Sequence, residues 1–223
     1  MSKRLFIRAI TRFLVGLLMV AALLFIPAGT WDYPQGWLII GILFVPMFIA
    51  GLVMMKKSPE LLRKRLNVKE EESEQKTVIL LSGIMFLAAF IVAGLNFRFE
   101  WIVLPDWISY VGAVIFLAAY ALYAEVLREN AYLSRTIEVQ QDQKVIDTGL
   151  YGVVRHPMYM STLLLFLVMP LVLGSVISFV IMLAYIPIIA KRIGNEEKVL
   201  EEGLPGYAEY KKKVKRKVIP FVW

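Results

Sequence analysis

Along this chain, apolar residues gather into six long stretches separated by short polar ones. The stretches run near Leu5–Ile26, Gln35–Met55, Thr77–Leu95, Trp107–Leu127, Met158–Leu173 and Ser175–Lys191. A helix of about 20 mostly apolar residues crosses a bilayer, and only helices and closed barrels satisfy their backbone there. The pattern predicts an all-α integral membrane protein with about six transmembrane helices. The last two stretches are shorter, and Gly174 and its neighbours alone part them, so they read as a tight helical hairpin. Pro170 and Pro187 are expected to kink its arms. The first stretch is longer than the apolar region of a signal peptide, and no clear small-x-small cleavage site follows it, so it reads as a membrane helix.

Composition agrees. The 223 residues are 59% apolar, with a mean hydropathy of +0.66, against about 45–50% apolar for ordinary soluble domains. The length fits one structural domain. Four N-terminal helices over residues 1–127, with a polar loop at 56–76, would adjoin a part over 128–223 that holds a loop, the hairpin and a polar end. The absence of Cys excludes disulfides, thiolate chemistry and Cys-ligated zinc. A single His excludes a multi-His metal site, and no metal is expected.

Charge orients the bundle. With both termini in the cytosol, all of the 25 Lys and Arg except Arg98 fall on the cytosolic side, as the positive-inside rule asks. Trp31, Trp37, Trp101 and Trp107 then form an aromatic belt near the outer ends. The net charge of +7 is accounted for by cytosolic loops facing anionic membrane lipid, and no nucleic-acid partner is needed. Ser58-Pro59-Glu60 should open a short helix, with Ser as N-cap and Pro in the first turn. Glu70–Glu74 reads as a solvated loop.

The polar segments beside the final hairpin carry the candidate chemistry, at its cytosolic mouth. Ile137–Gln140 alternates like an extended segment, and Asp147-Thr148-Gly149 is turn chemistry. Arg155-His156-Pro157 then enters a helix, with Pro157 in the first turn. Such a helix start attracts anions, and Arg155 would strengthen it. Asn195-Glu196-Glu197 follows Lys191-Arg192 at the end of the last apolar stretch. An acid beside an anion-binding helix start can hold a zwitterion, carboxylate on one side and ammonium on the other. Leu204-Pro205-Gly206-Tyr207 makes a turn, and Tyr207 and Tyr210 offer an aromatic wall. Ile219-Pro220-Phe221 adds apolar anchors.

Together these residues resemble a known family. Gly149-x-Tyr151-x-x-x-Arg155-His156-Pro157-x-Tyr159, then Glu196-Glu197-x-x-Leu200, then Gly206-x-x-x-Tyr210 and Ile219-Pro220, is similar to the isoprenylcysteine carboxyl methyltransferases, relatives of the phospholipid N-methyltransferases. Asn130-x-Tyr132-x-x-x-Thr136-Ile137 resembles bacterial and archaeal members. The likeness spans roughly the part from Tyr120 onward. Pro205-Gly206 stands where that family usually has phenylalanine-glycine, which bears on the shape of the pocket lid.

The resemblance implies a membrane methyltransferase that uses S-adenosylmethionine in a cytosolic cofactor pocket. Carried onto this chain, it implies cofactor contacts at Gly149, Leu150, Tyr151, Arg155, His156, Pro157, Glu196 and Glu197, with Tyr207 and Tyr210 as wall residues. Arg155, His156, Glu196 and Glu197 are the catalytic candidates. A carboxylate acceptor needs little acid–base help beyond proximity and desolvation; an amine acceptor would need Glu196 or Glu197 as base. A lipophilic or lipidated acceptor is expected to enter between helices near Tyr120, Tyr123 and Glu125. The short, loop-poor chain suits a prokaryotic plasma membrane. The rival readings are an NADPH-dependent membrane sterol or enone reductase, against which Met158 speaks, and a small transporter or scaffold, for which no internal repeat is seen.

Overall fold

A computed structural model describes residues 3–66, 73–133 and 139–223. The chain is helical from the outset: α1 (Lys3–Ala28), α2 (Pro34–Lys57), α3 (Pro59–Leu66), α4 (Ser73–Phe99), α5 (Asp106–Glu129), α6 (Pro157–Val172), α7 (Val176–Met182), α8 (Tyr185–Gly203) and α9 (Tyr207–Lys213). A 3₁₀ turn, Gly149–Gly152, precedes α6. The first half of the predicted extended segment at 137–140, the motif pair Thr136-Ile137 and most of the acidic cluster at 70–74 lie outside the described residues.

Among the described residues, five segments are long and apolar enough to cross a membrane: Leu5–Ala28, Pro34–Lys57, Lys76–Phe99, Asp106–Glu129 and Val176–Gly203. The remaining apolar helix, α6, has 16 residues. At 1.5 Å per residue it spans about 24 Å, short of a bilayer core of about 30 Å. The hairpin expectation is therefore met by a short first arm and a long second one.

The second arm departs from its expected bounds at both ends. It is broken near its start, where α7 gives way to α8 at Leu183 and Ala184. Pro187 explains the break. It has no N–H for the Leu183 carbonyl four residues back, and that carbonyl accepts from Ile186 instead (3.1 Å). Pro187 itself lies in the first turn of α8, where a missing donor is harmless. At the other end α8 runs on to Gly203 rather than stopping near Lys191. Gly194 does not interrupt it, so Glu196 and Glu197 sit inside a helix and not after one.

α4 packs along α1, α7 and α8, while α5 lies along α6 and touches α2. Gly112 permits the α5–α6 approach, since a Cβ there would meet Val172 at 3.2 Å. Leu24, Tyr33, Ile39, Phe116, Val172 and Met182 are fully buried. The Tyr33 hydroxyl donates to the Leu173 carbonyl (2.8 Å), and its ring stacks on Phe97. The outward faces are apolar too. Leu18, Ile26, Leu80 and Val114 are each more than 60% exposed, as a lipid-facing surface requires.

The two ends of the bundle differ. Gln35 donates to Asp106 (3.3 Å), which puts the α1–α2 and α4–α5 connections together at one end. Exposed Trp31, Trp37, Trp101 and Trp107 cluster there. α3, α9, the 3₁₀ turn and the start of α6 belong to the opposite end.

Candidate active site

The pocket at that opposite end is built from the segment before α6, the polar half of α8, and residues 204–217. Three neighbouring elements fix the first of these. Glu129, in the last turn of α5, accepts from the Leu150 N–H with both carboxylate oxygens (3.2 and 3.0 Å). Gly149 holds φ +55°, and a Cβ there would land on the Glu129 carboxylate. Only glycine meets both demands, so Gly149→Ala is expected to lower stability by at least the ~1–2 kcal/mol of a left-handed non-glycine residue. Thermal unfolding in detergent measures this, and an unchanged midpoint refutes it.

Tyr151 comes next and is buried. Its hydroxyl accepts from Asn130 (3.0 Å), and its carbonyl accepts from the Tyr210 hydroxyl (2.7 Å). Burial pushes both phenols above their ordinary pKa, so Tyr210 remains a donor at any physiological pH.

Arg155 and His156 are tied to the 214–217 segment by their backbones. Their N–H groups donate to the carbonyls of Arg216 (2.9 Å) and Lys217 (2.8 Å). The buried Arg155 guanidinium donates through Nε to Glu197 (2.8 Å) and through Nη1 to the carbonyls of Val214 (2.7 Å) and Lys215 (2.9 Å). His156 Nε2 lies 3.2 Å from the same Glu197 oxygen. Lys217 and Lys211 approach the other oxygen at 3.4 and 3.8 Å. One buried carboxylate thus joins four basic groups from three segments, and such a charge is tolerable because it is fully paired. Arg155, read from the sequence as an anion ligand, is here the clamp between α8 and the 214–217 segment.

Glu196, on the neighbouring face of α8, has a different setting. Its carboxylate accepts from the buried Tyr159 hydroxyl, whose oxygen accepts from Arg192 Nε (3.0 Å). Glu196 lines a cleft that also presents Tyr151, Arg155, His156, Tyr207 and Tyr210. The cleft holds about 840 Å³ of empty space, the open solvent at its mouth included. The Tyr207 hydroxyl is buried in this wall and has no hydrogen-bond partner among the described residues. Buried polar groups are nearly always satisfied, so this hydroxyl, closed off beside the cleft, is an exception.

The structure thus brings six of the expected residues into one cleft: Tyr151, Arg155, His156, Glu196, Tyr207 and Tyr210. Gly149, Leu150, Pro157 and Glu197 stand behind the wall and shape it. The expected acceptor residues lie elsewhere. The Tyr120 hydroxyl donates to the Leu43 carbonyl (3.2 Å), Tyr123 carries the Arg65 guanidinium over its ring, and Glu125 pairs with Arg128 one turn along α5. Arg65 also reaches the Met158 sulfur (3.8 Å), and Met158 lines the cleft.

Asn130 and Tyr132, quoted in the upstream motif but not assigned to the site, form the facing wall with Gln143, Lys144, Val145 and Ile146, which sequence reasoning missed. Leu200, quoted in a motif, and Leu204, read as part of a turn, also line the cleft without having been assigned to it. Gln143–Ile146 carry no motif. The leucines were detectable, because Ile189, Ile193, Glu197, Leu200 and Leu204 recur at three- and four-residue steps, the period of a helix face.

Comparison with known proteins follows this geometry. Residues 110–202 match the family model described as the isoprenylcysteine carboxyl methyltransferase (ICMT) family. No curated protein matches. Among solved structures, the fold matches that of the eukaryotic intramembrane Ras methyltransferase ICMT. The TM-score is 0.59 at 18% identity, over 96% of this chain and 77% of that one. The resemblance read from the motifs is borne out over residues 110–202, and the all-helical, multi-pass fold is similar to that of ICMT.

Proposed function

We propose that this chain, with ICMT-family sequence over residues 110–202 and an ICMT fold over nearly its whole length, is an S-adenosylmethionine-dependent methyltransferase. Its acceptor is lipophilic and is methylated at a carboxylate on the cytosolic side of the membrane. One observation carries the cofactor assignment: Glu196 and Tyr207 line the same cleft, and the Tyr207 hydroxyl is buried beside it with no partner among the described residues. The matched enzyme is named for its action on Ras; for this chain the reading extends to the class of lipophilic or lipidated carboxylates.

The residues fit the cofactor. Its methionine part is a zwitterion, and the cleft offers Glu196 for the ammonium and a basic rim of Lys144 and Arg192 for the carboxylate. Tyr207 and Tyr210, their ring centroids 5.7 Å apart, supply an aromatic surface for the nucleoside and a hydroxyl for one of its polar atoms. When bound, the cofactor supplies an electrophilic methyl group on a sulfonium centre. Everything else is the protein's work. Tyr159 and Arg192 orient Glu196, while Glu197, Arg155 and His156 hold the walls in register. The half-open cleft at the membrane surface strips water from an acceptor carboxylate, which strengthens it as a nucleophile. No proton need move, so no general base is required in this reading.

Isothermal titration of detergent-purified protein with S-adenosylhomocysteine and, separately, NADPH tests the assignment. Micromolar binding of the first alone is expected. Binding of NADPH alone points to a reductase, and silence from both removes the enzyme reading. Tyr207→Phe gives a finer check. Losing an unsatisfied buried hydroxyl should raise stability by about 1 kcal/mol and weaken S-adenosylhomocysteine about tenfold. If stability and affinity both fall, the hydroxyl has a protein partner instead.

A further inference from the structure

The segment that clamps Arg155 ends in a feature the cofactor reading does not use. Residues 218–223 close into a tight turn. Val218 and Ile219 donate to the Trp223 carbonyl (both 2.8 Å), while Val222 and Trp223 donate back to Ile219 (3.1 and 3.0 Å). The turn places Phe221 at φ +66°, a region that bulky residues rarely enter. It also leaves Phe221 88% and Val222 72% exposed, with Ile219 at 44%. Trp223, by contrast, packs against the main bundle core. A strained backbone that pushes two large apolar side chains away from the protein, while a third anchors the turn to the bundle, is a presentation device.

Its surroundings name what it is presented to. Lys211, Lys212, Lys213, Lys215, Arg216 and Lys217 immediately precede the turn, and Lys212, Lys213, Lys215 and Arg216 are exposed. Apolar side chains at the edge of a membrane bundle, flanked by a dense positive run, match an anionic lipid surface: hydrocarbon for the tip, headgroup charge for the run. A protein partner would have to supply the same acid-rimmed apolar depression. The bundle already places a bilayer beside it.

We propose that Ile219, Phe221 and Val222 form an interfacial wedge that seats residues 211–223 on an anionic leaflet. The wedge lies directly beyond the stretch whose carbonyls hold Arg155 and whose backbone receives the N–H groups of Arg155 and His156. Lipid contact at the tip therefore steadies the wall of the cleft. The inference does not depend on the methyltransferase reading, because its first test needs no ligand.

The chain lacks cysteine, so Phe221→Cys carries a single nitroxide label without background. In nanodiscs of phosphatidylcholine with phosphatidylglycerol, the label at 221 should be several-fold more accessible to oxygen than to a water-soluble nickel chelate. A label at exposed Lys212 should show the reverse preference. Replacing phosphatidylglycerol by phosphatidylcholine should shift the 221 label toward the chelate. A label at 221 that meets the chelate freely in both compositions overturns the wedge. So does one shielded from both reagents, which would mean that protein covers the turn. Phe221→Asp with a label at Val222→Cys gives a second arm, in which the anionic-lipid dependence should vanish. If that dependence persists, the apolar tip is not what inserts.

Discussion

Replacing Glu197 by alanine should cost about 3–5 kcal/mol of stability and remove S-adenosylhomocysteine binding with it. Arg155 and His156 are each 5% exposed, and both direct a ring or guanidine nitrogen at this one carboxylate. Deleting the acid leaves the guanidinium buried without a counter-charge, and that loss sets the magnitude. The guanidinium also lets go of nothing gently: it holds the Val214 and Lys215 carbonyls, so its displacement loosens the 214–217 segment. Domains are stable by only about 5–15 kcal/mol, so a change of this size should be visible as a clear drop in the thermal midpoint. Glu197→Gln keeps the volume and one acceptor, and should fall between wild type and alanine. If alanine leaves both midpoint and binding as they were, the buried hub does not hold the cleft together.

Glu196→Gln should do the opposite: weaken S-adenosylhomocysteine about 30- to 100-fold with little change in stability. The amide still offers a carbonyl to the Tyr159 hydroxyl, so the buried phenol is not orphaned. What goes is the negative charge, and a charge-assisted bond to an ammonium contributes about 2–3 kcal/mol, roughly 1.4 kcal/mol for each factor of ten. Titration calorimetry paired with thermal unfolding separates the two quantities. Undiminished affinity would show that the ammonium is held elsewhere. The contrast between neighbours matters: Glu197 faces inward and carries structure, while Glu196 faces the cleft and, in the proposed reading, holds the ligand. A fall in stability for Glu196→Gln comparable to that for Glu197→Ala would erase the distinction.

The sequence showed the membrane helices because hydrocarbon is a demanding solvent. A run such as Leu5–Ile26 or Trp107–Leu127 has no other stable form, so α1, α2, α4 and α5 appear within a few residues of where the pattern puts them. The same argument weakens where the chain leaves the bilayer. At Lys191 the composition turns polar and the apolar pattern stops, although the helix continues to Gly203; beyond the membrane a helix needs only one apolar stripe, and Ile193, Leu200 and Leu204 provide it. The break at Leu183–Ala184 was marked by Pro187, but its position four residues upstream follows from which carbonyl loses its donor.

Within the site, residues in dense motifs were legible and residues in plain loops were not. Gly149, Tyr151, Arg155 and His156 stand close together in sequence and in space. The wall from Gln143 to Ile146 has no distinctive spacing, and reaches the cleft because Val139 and Val145 pack on Leu204, Tyr207, Tyr210 and Val214 in a small separate core. Such pairing across some 60 residues leaves no periodic trace. Tyr120, Tyr123 and Glu125, expected beside the acceptor, share a helix, and their side chains meet Leu43, Arg65 and Arg128. Spacing along a helix fixes which residues share a face, not what that face meets.

The Arg155 clamp has a bearing on how the protein is made. Its partners, Glu197, Val214 and Lys215, lie 42 to 60 residues further along, beyond the whole final hairpin. While a ribosome is still threading α6 through α8 into the bilayer, the Arg155-His156 stretch has nothing to pair with. The binding wall cannot close until residue 217 has cleared the exit tunnel. Capacity to bind ligand should therefore arise in one step once residue 217 has emerged, and arrested chains that stop within α8, though membrane-embedded, should be inert.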